Sequence, residues 1–106
     1  SNPATGLDPA YATEMRMVEE HYSKEVGLKM DEARHHNLLD KDVKADLGQL
    51  DKVYMELKSE MLRKKDINNE ELMREMINNY RIRLSLLETL LDKHRRFEDE
   101  KKHTIY

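Results

Sequence analysis

Apolar residues recur along this chain at steps of three and four, the spacing that puts them on one face of an α-helix. The most regular run lies within Glu71–His94. There Met73, Ile77, Tyr80, Leu84, Leu87, Leu91 and His94 form a heptad seam. A second apolar line, Leu72, Met76, Leu86 and Leu90, runs beside it. A face this wide can meet two partners. Val43, Leu47, Leu50, Tyr54, Leu57 and Met61 form another seam, also at alternating steps of four and three, widened by Val53 and Leu62. A looser stripe comes earlier, in Tyr11, Met15, Val18, Tyr22 and Val26, continued by Met30 and Ala33.

These stripes predict three long helices, at about 9–34, 38–65 and 69–97. Residues 1–8 read as a flexible linker or tag remnant. Asp8-Pro9 then supplies an N-cap followed by a proline suited to the first helical position. Gly27 sits inside the first stripe, as a kink, a close approach or a tolerated cost of ~1 kcal/mol relative to Ala. His35-His36-Asn37 reads as a break, since Asn can end a helix in the left-handed conformation; one helix continuing through it is the alternative. Asn68 with Glu71 has the spacing of a capping box and marks the third start. Residues 98–106, mostly EDEKKHTIY, are charged and aperiodic and are expected to fray.

The fold class that follows is all-α: an antiparallel helical hairpin or bundle with coiled-coil-like packing. The second and third helices, joined by a short connection, are expected to zip their seams together. The first would then lie across them on the second apolar line of the third. Arg81 and Arg83 are expected to pair with Asp46, Asp51 or Glu56 across the hairpin. Asn78 and Asn79, poor helix formers in mid-helix, are expected to hydrogen-bond to helix two or to the break.

Composition agrees with long helices and a thin core. Charged residues make up 39% of the chain, against ~25% in an average globular protein. There are 3 Gly, 2 Pro and no Trp or Cys, so turns are few and disulfides excluded. The net charge of −3 comes with no strongly basic segment, and nucleic-acid binding has no electrostatic support. No apolar run approaches the ~18–20 residues of a membrane span. The chain opens Ser1-Asn2 without Met, which leaves open a targeting or membrane segment ahead of it.

Candidate chemistry is sparse. Adjacent His35 and His36 point ~100° apart on a helix and cannot easily share an ion. No HExxH or HxxxH pair occurs. His94 is expected to cap the core or meet a helix C-terminus. Isolated serines, abundant surface carboxylates and the lack of a glycine-rich phosphate loop suggest no catalytic site and no cofactor. The clusters Arg63-Lys64-Lys65 and Lys93-His94-Arg95-Arg96 read as solvated helix ends. Met15, Met55, Met61, Met73 and Met76 lie at or beside the seams, as core filling or as an adaptable binding surface.

Three stretches together resemble a known family. They are MRMVEEHYSKEVGLKMDEA (Met15–Ala33), LGQLDKVYMELKSEM (Leu47–Met61) and NNEELMREMINNYRIRLSLLETLLDKH (Asn68–His94). In this order they are similar to the helical C-terminal region of anti-sigma-factor-like single-span membrane proteins of Bacteroidetes. That family's E-x-Y-Y falls at Glu19–Tyr22, with His21 for the first Tyr. Its L-D-x-x-Y-x-x-L-K falls at Leu50–Lys58. Its N-E-x-x-x-x-A-M-I-x-N-Y-x-x-R-L-x-L-L-E falls at Asn69–Glu88, with Glu75 replacing Ala.

The resemblance implies a region on the periplasmic side of the inner membrane, following a single span that is missing here; a cytoplasmic location is the alternative. It implies a sensory, spacer or oligomerising role, with sigma-factor binding assigned to the part before the span. The expected function is a non-enzymatic helical interaction or oligomerisation domain of a membrane-tethered transcription regulator. Its expected partner is another copy or another helical protein. The expected interaction residues are Tyr22, Val43, Leu47, Leu50, Tyr54, Leu57, Met61, Met73, Ile77, Tyr80, Leu84, Leu87 and Leu91. The alternative reading is a periplasmic Spy-like helical chaperone or metal-stress sensor.

Overall fold

A computed structural model describes residues 8–63 and 69–104. The predicted cap at Asn68, the basic pair Lys64-Lys65 and the lead-in 1–7 lie outside these residues. Three helices follow in order: α1 (Pro9–His35), α2 (Lys41–Arg63) and α3 (Asn69–Thr104). Among the described residues none of the helices is long and apolar enough to cross a membrane. The fold is an all-α bundle in which α1 packs on α3 and α2 packs on α3. No residues of α1 and α2 pair within 8 Å Cα–Cα. The molecule is a rod of 66 × 23 × 20 Å. The 36-residue α3 accounts for about 54 Å of that length at the α-helical rise.

Local chemistry fixes the ends. At the start of α1, Asp8 Oδ1 accepts a hydrogen bond from the Ala10 N–H at 2.8 Å, and Pro9 takes the first helical position. At its end Asn37 adopts φ 59°, the left-handed conformation. The Leu38 N–H donates to Ala33 O at 2.9 Å and the Asn37 N–H to Arg34 O at 3.0 Å. This pair of bonds is a Schellman motif, with Asn in the place usually held by Gly. The break is therefore real, and it takes Leu38 out of α2. Asp40 caps α2 instead, its Oδ1 accepting from the Val43 N–H at 2.9 Å.

Two expectations are corrected. The helix α3 does not stop near Phe97 but runs to Thr104. Its first turn carries Glu70 and Glu71 and its last turn Lys101, Lys102 and His103, charges that suit both ends of the helix dipole. Glu98 and Lys102 stand at the favourable i,i+4 spacing as well. A segment sustained by charge shows no hydrophobic period.

The second correction concerns which face of α3 meets which helix. On the side of the main seam, Tyr80 stacks on Tyr22 of α1, and the Arg81 Nε–H donates to Tyr22 Oη at 3.4 Å. Lys29 meets Glu88 at 3.7 Å, and Arg95 meets Glu32 at 3.0 Å. These contacts advance together along both helices, so α1 runs parallel to α3. On the other side, Asn79 and Arg83 reach Leu50 and Asp51 of α2. They fill the gap in the second apolar line, which becomes Leu72, Met76, Asn79, Arg83, Leu86 and Leu90. This line faces α2 through Asn79 and Arg83, and the main seam lies between the two helices, with Tyr80 against both Tyr22 of α1 and Tyr54 of α2. Two polar residues had hidden the continuity of the second line.

The core gathers Met15, Val26 and Ala33 from α1, Leu47, Tyr54 and Met61 from α2, and Leu72, Met73, Met76, Tyr80, Leu87 and Leu91 from α3. The Gly27 position has open space where a Cβ would stand, so it marks no close approach to a neighbouring helix. Gly27→Ala is expected to stabilise the fold by ~0.5–1 kcal/mol by restricting the unfolded chain. Asn37→Val, a β-branched residue forced into the left-handed region, is expected to destabilise by ~1–2 kcal/mol, whereas Asn37→Gly is tolerated. Urea unfolding of the three variants checks the order; a neutral Asn37→Val would show that the α1 end is not held as described.

Candidate functional site

About a third of the way along α3, side chains from all three helices converge. Tyr54 of α2 is the centre, only 3% exposed. Its hydroxyl donates to Glu19 Oε2 of α1 at 2.9 Å. Lys58, one turn further along α2, donates to both oxygens of the same carboxylate, at 2.8 and 3.1 Å. Glu19 thus ties α1 to α2 where their backbones do not approach. The Tyr54 ring lies 4.6 Å from that of Tyr80, and Tyr80 stacks on Tyr22 at 5.4 Å. Aromatic pairs of this kind add ~0.5–1.5 kcal/mol beyond their buried area.

Arg83 lies under this aromatic group. Its guanidinium carbon sits 4.3 Å from the Tyr80 ring centre and 5.3 Å from that of Tyr54, within cation–π reach of both. The residue is 7% exposed. Among the described residues its ionic contact is Nη1 to Asp51 Oδ1 at 3.5 Å, and the Asp51 side chain is 65% exposed. Nε and Nη2 are buried without a hydrogen-bond partner among the described residues. Asn79 is satisfied on one side, its Nδ2 donating to Leu50 O at 2.9 Å, while its Oδ1 has no partner.

Beside Arg83 opens a groove of about 310 Å³, walled by Val26 and Met30 of α1 and by Lys44, Leu47, Gly48 and Asp51 of α2. Arg83 belongs to the helix beneath and forms its base. The groove exists because α3 holds α1 and α2 apart.

Three stretches, Met15–Ala33, Leu47–Met61 and Asn68–His94, supply these residues. Glu19 and Tyr22 come from the first, Leu50, Asp51, Tyr54 and Lys58 from the second, and Asn79, Tyr80 and Arg83 from the third. Of the expected pairings, Arg83 does meet Asp51, whereas Arg81 turns to Tyr22. Asn79 bonds to helix two as expected, and Asn78 is exposed.

The predicted interaction residues are used inside the monomer. Leu47, Tyr54, Met61, Met73, Tyr80, Leu87 and Leu91 are buried. Tyr22, Val43, Leu50, Leu57, Ile77 and Leu84 are half-buried. Val53 and Met55, placed at the α2 seam by the sequence, are exposed.

Sequence spacing had also kept the histidines apart. The structure brings the His36 and His94 rings to 4.6 Å, with His35 adjacent, where the end of α1 meets α3. His94 therefore neighbours the α1 terminus, well short of the end of its own helix. Among the described residues no three His, Asp or Glu side chains are placed to share a metal ion.

Comparison with protein-family models, with curated proteins and with solved structures finds no match to this chain.

Burial, foremost, and then its partners Tyr80 and Glu19 push the Tyr54 phenol far above its ordinary value of 10.0. The protonated form is favoured by folding. The stability this contributes is complete below the ordinary value and declines as pH rises past it, because the unfolded chain ionises first. Tyr54→Phe is expected to cost ~1.5–3 kcal/mol at neutral pH, the range for a hydrogen bond to a charged group. It should also flatten the loss of stability between about pH 9.5 and 11. Urea titrations of both proteins across that range test this; equal alkaline slopes would remove Tyr54 as the group responsible.

Proposed function

We propose that this chain is a non-enzymatic helical interaction domain of a membrane-tethered, anti-sigma-factor-like regulator, lying on the extracytoplasmic side. The resemblance of its three stretches motivates the class. The observation that carries the reading is that α1 and α2 both grip α3 yet are joined to each other by Glu19. Anything that binds between them alters their spacing, and α1, parallel to α3, carries that change along the rod. Such a shift needs only different affinities for two packings. The seams are already filled by the chain's own helices. A second copy or another helical partner therefore meets the α1–α2 side or the exposed Val53 and Met55.

The test uses the full-length regulator and a promoter read by its cognate sigma factor. Glu19→Gln, which weakens the α1–α2 link, is expected to change basal promoter output at unchanged protein level. Deletion of residues 9–104 is expected to abolish the response to the inducing signal. Wild-type output and response in both variants would discard the regulatory reading.

A further inference from the structure

We infer that the groove between α1 and α2 is a binding site for a small monocarboxylate with a short apolar body, seated on Arg83. This assignment does not rest on the regulatory role; it would hold for any function of the domain.

The first reason is the state of Arg83. A guanidinium buried to this degree normally has its donors paired, usually by a carboxylate in a two-pronged arrangement. Here Nε and Nη2 make no hydrogen bond among the described residues. These two nitrogens form one edge of the guanidinium, with N–H bonds side by side, the geometry that matches two carboxylate oxygens. Asp51 does not supply that match. It meets Nη1 alone, at 3.5 Å, from a largely solvated position.

The second reason is what surrounds it. The walls are Val26, Met30 and Leu47, aliphatic side chains suited to an apolar body, and Gly48 leaves the α2 wall open. Among the lining residues Lys44 and Arg83 stand against Asp51, which leaves one positive charge. That balance suits a monoanion better than a doubly charged phosphate. The volume, about 310 Å³, lies at the lower end of the ~300–1,000 Å³ typical of ligand sites. It is more than the ~150 Å³ that holds a benzene ring in an apolar cavity. A short-chain or aromatic carboxylate fits, and a long lipid does not.

The free edge of Arg83 is covered from solvent. A carboxylate reaches it as the groove widens, or first takes the place of Asp51 on Nη1. Either route couples binding to the separation of α1 and α2.

The experiment titrates the chain at pH 7 with octanoate and benzoate, followed by the Arg83 Nε–H and Gly48 amide resonances. Octanol and octyl phosphate are the comparison ligands. Octanoate is expected to shift both resonances saturably, and octanol to bind at least about tenfold more weakly because it lacks the charge. Asp51→Asn, which removes the competing carboxylate, is expected to tighten binding severalfold. Gly48→Leu, which puts an aliphatic side chain into the groove and leaves Arg83 in place, is expected to abolish it. Arg83→Met is expected to lose binding while keeping or raising the melting temperature, since an apolar side chain relieves an imperfectly paired buried charge. A purely structural arginine would instead leave a less stable fold. If Arg83→Met fails to fold, that outcome counts against the inference, and Asp51→Asn with Gly48→Leu still decides the site.

Four results would overturn it. One is the absence of saturable shifts up to roughly 10 mM octanoate, beyond millimolar affinity. Others are equal binding of octanol, or undiminished binding in Gly48→Leu. Tighter binding of octyl phosphate than of octanoate would overturn the carboxylate assignment.

Discussion

The hydrogen bond from Tyr54 to Glu19 joins α2 to α1. It connects two helices that have no common backbone contact. A three-helix bundle ordinarily closes because each helix touches both others. Here the backbone of α3 alone approaches both others, and among the described hydrogen bonds α1 and α2 are linked by one carboxylate that accepts from a phenol and an ammonium. A neutral phenol is required for that bond, and burial keeps it neutral. The carboxylate is only partly exposed, so it is less screened than the surface pairs Arg95–Glu32 and Lys29–Glu88, each worth ~0–1 kcal/mol. The Glu19 node bears on how far α1 stands from α2, whereas those surface pairs join α1 to α3.

That spacing brings a cost, which falls on Arg83. A buried donor without a partner costs ~1–3 kcal/mol, and Arg83 has two. The faces of Tyr80 and Tyr54 return part of this through cation–π attraction, of order 0.5–2 kcal/mol. Aliphatic packing at this position would be as stable or more so. The arginine therefore does not read as a stability device. It is a charge kept at the base of an apolar groove, held flat against tyrosines that are themselves fixed by the node.

Much of the architecture was legible in the sequence. Helix count, the capped start at Asp8-Pro9 and the break at Asn37 follow from local chemistry that acts within a few residues. The facing of α3 was not legible, for a specific reason. Asn79 and Arg83 occupy the middle of its second seam, and a search for apolar periodicity drops them. Reading positions rather than hydrophobicity would have recovered the run from Leu72 to Leu90 at steps of four and three. It would also have flagged two polar residues at core positions, the signal that a buried polar site is present. The extension of α3 past Phe97 was missed because charge, not burial, sustains it. The meeting of His36 and His94 depends on the parallel register of α1 and α3, which no local pattern encodes.

The register explains why the node and the groove lie together. Because α1 is parallel to α3 and offset from it by a nearly constant step, Tyr22 stands beside Tyr80 and Val26 beside the next turn. The chain reversal at Leu38–Asp40 then brings α2 back along the opposite face, which places Tyr54 over Tyr80 and Leu47 one to two turns away, beside Arg83. Glu19 closes the helices at one level, and the aliphatic walls begin immediately beyond it. A link at one end of a groove acts as a hinge. Loosening it would let α1 and α2 part at the level of Arg83 while their seams on α3 stay packed. Side chains packed on α3 resist sliding because each seam interdigitates, whereas the α1–α2 distance depends on the Glu19 link between helices whose backbones do not approach. The width of the groove that holds Arg83 is therefore tied to one carboxylate and its two donors.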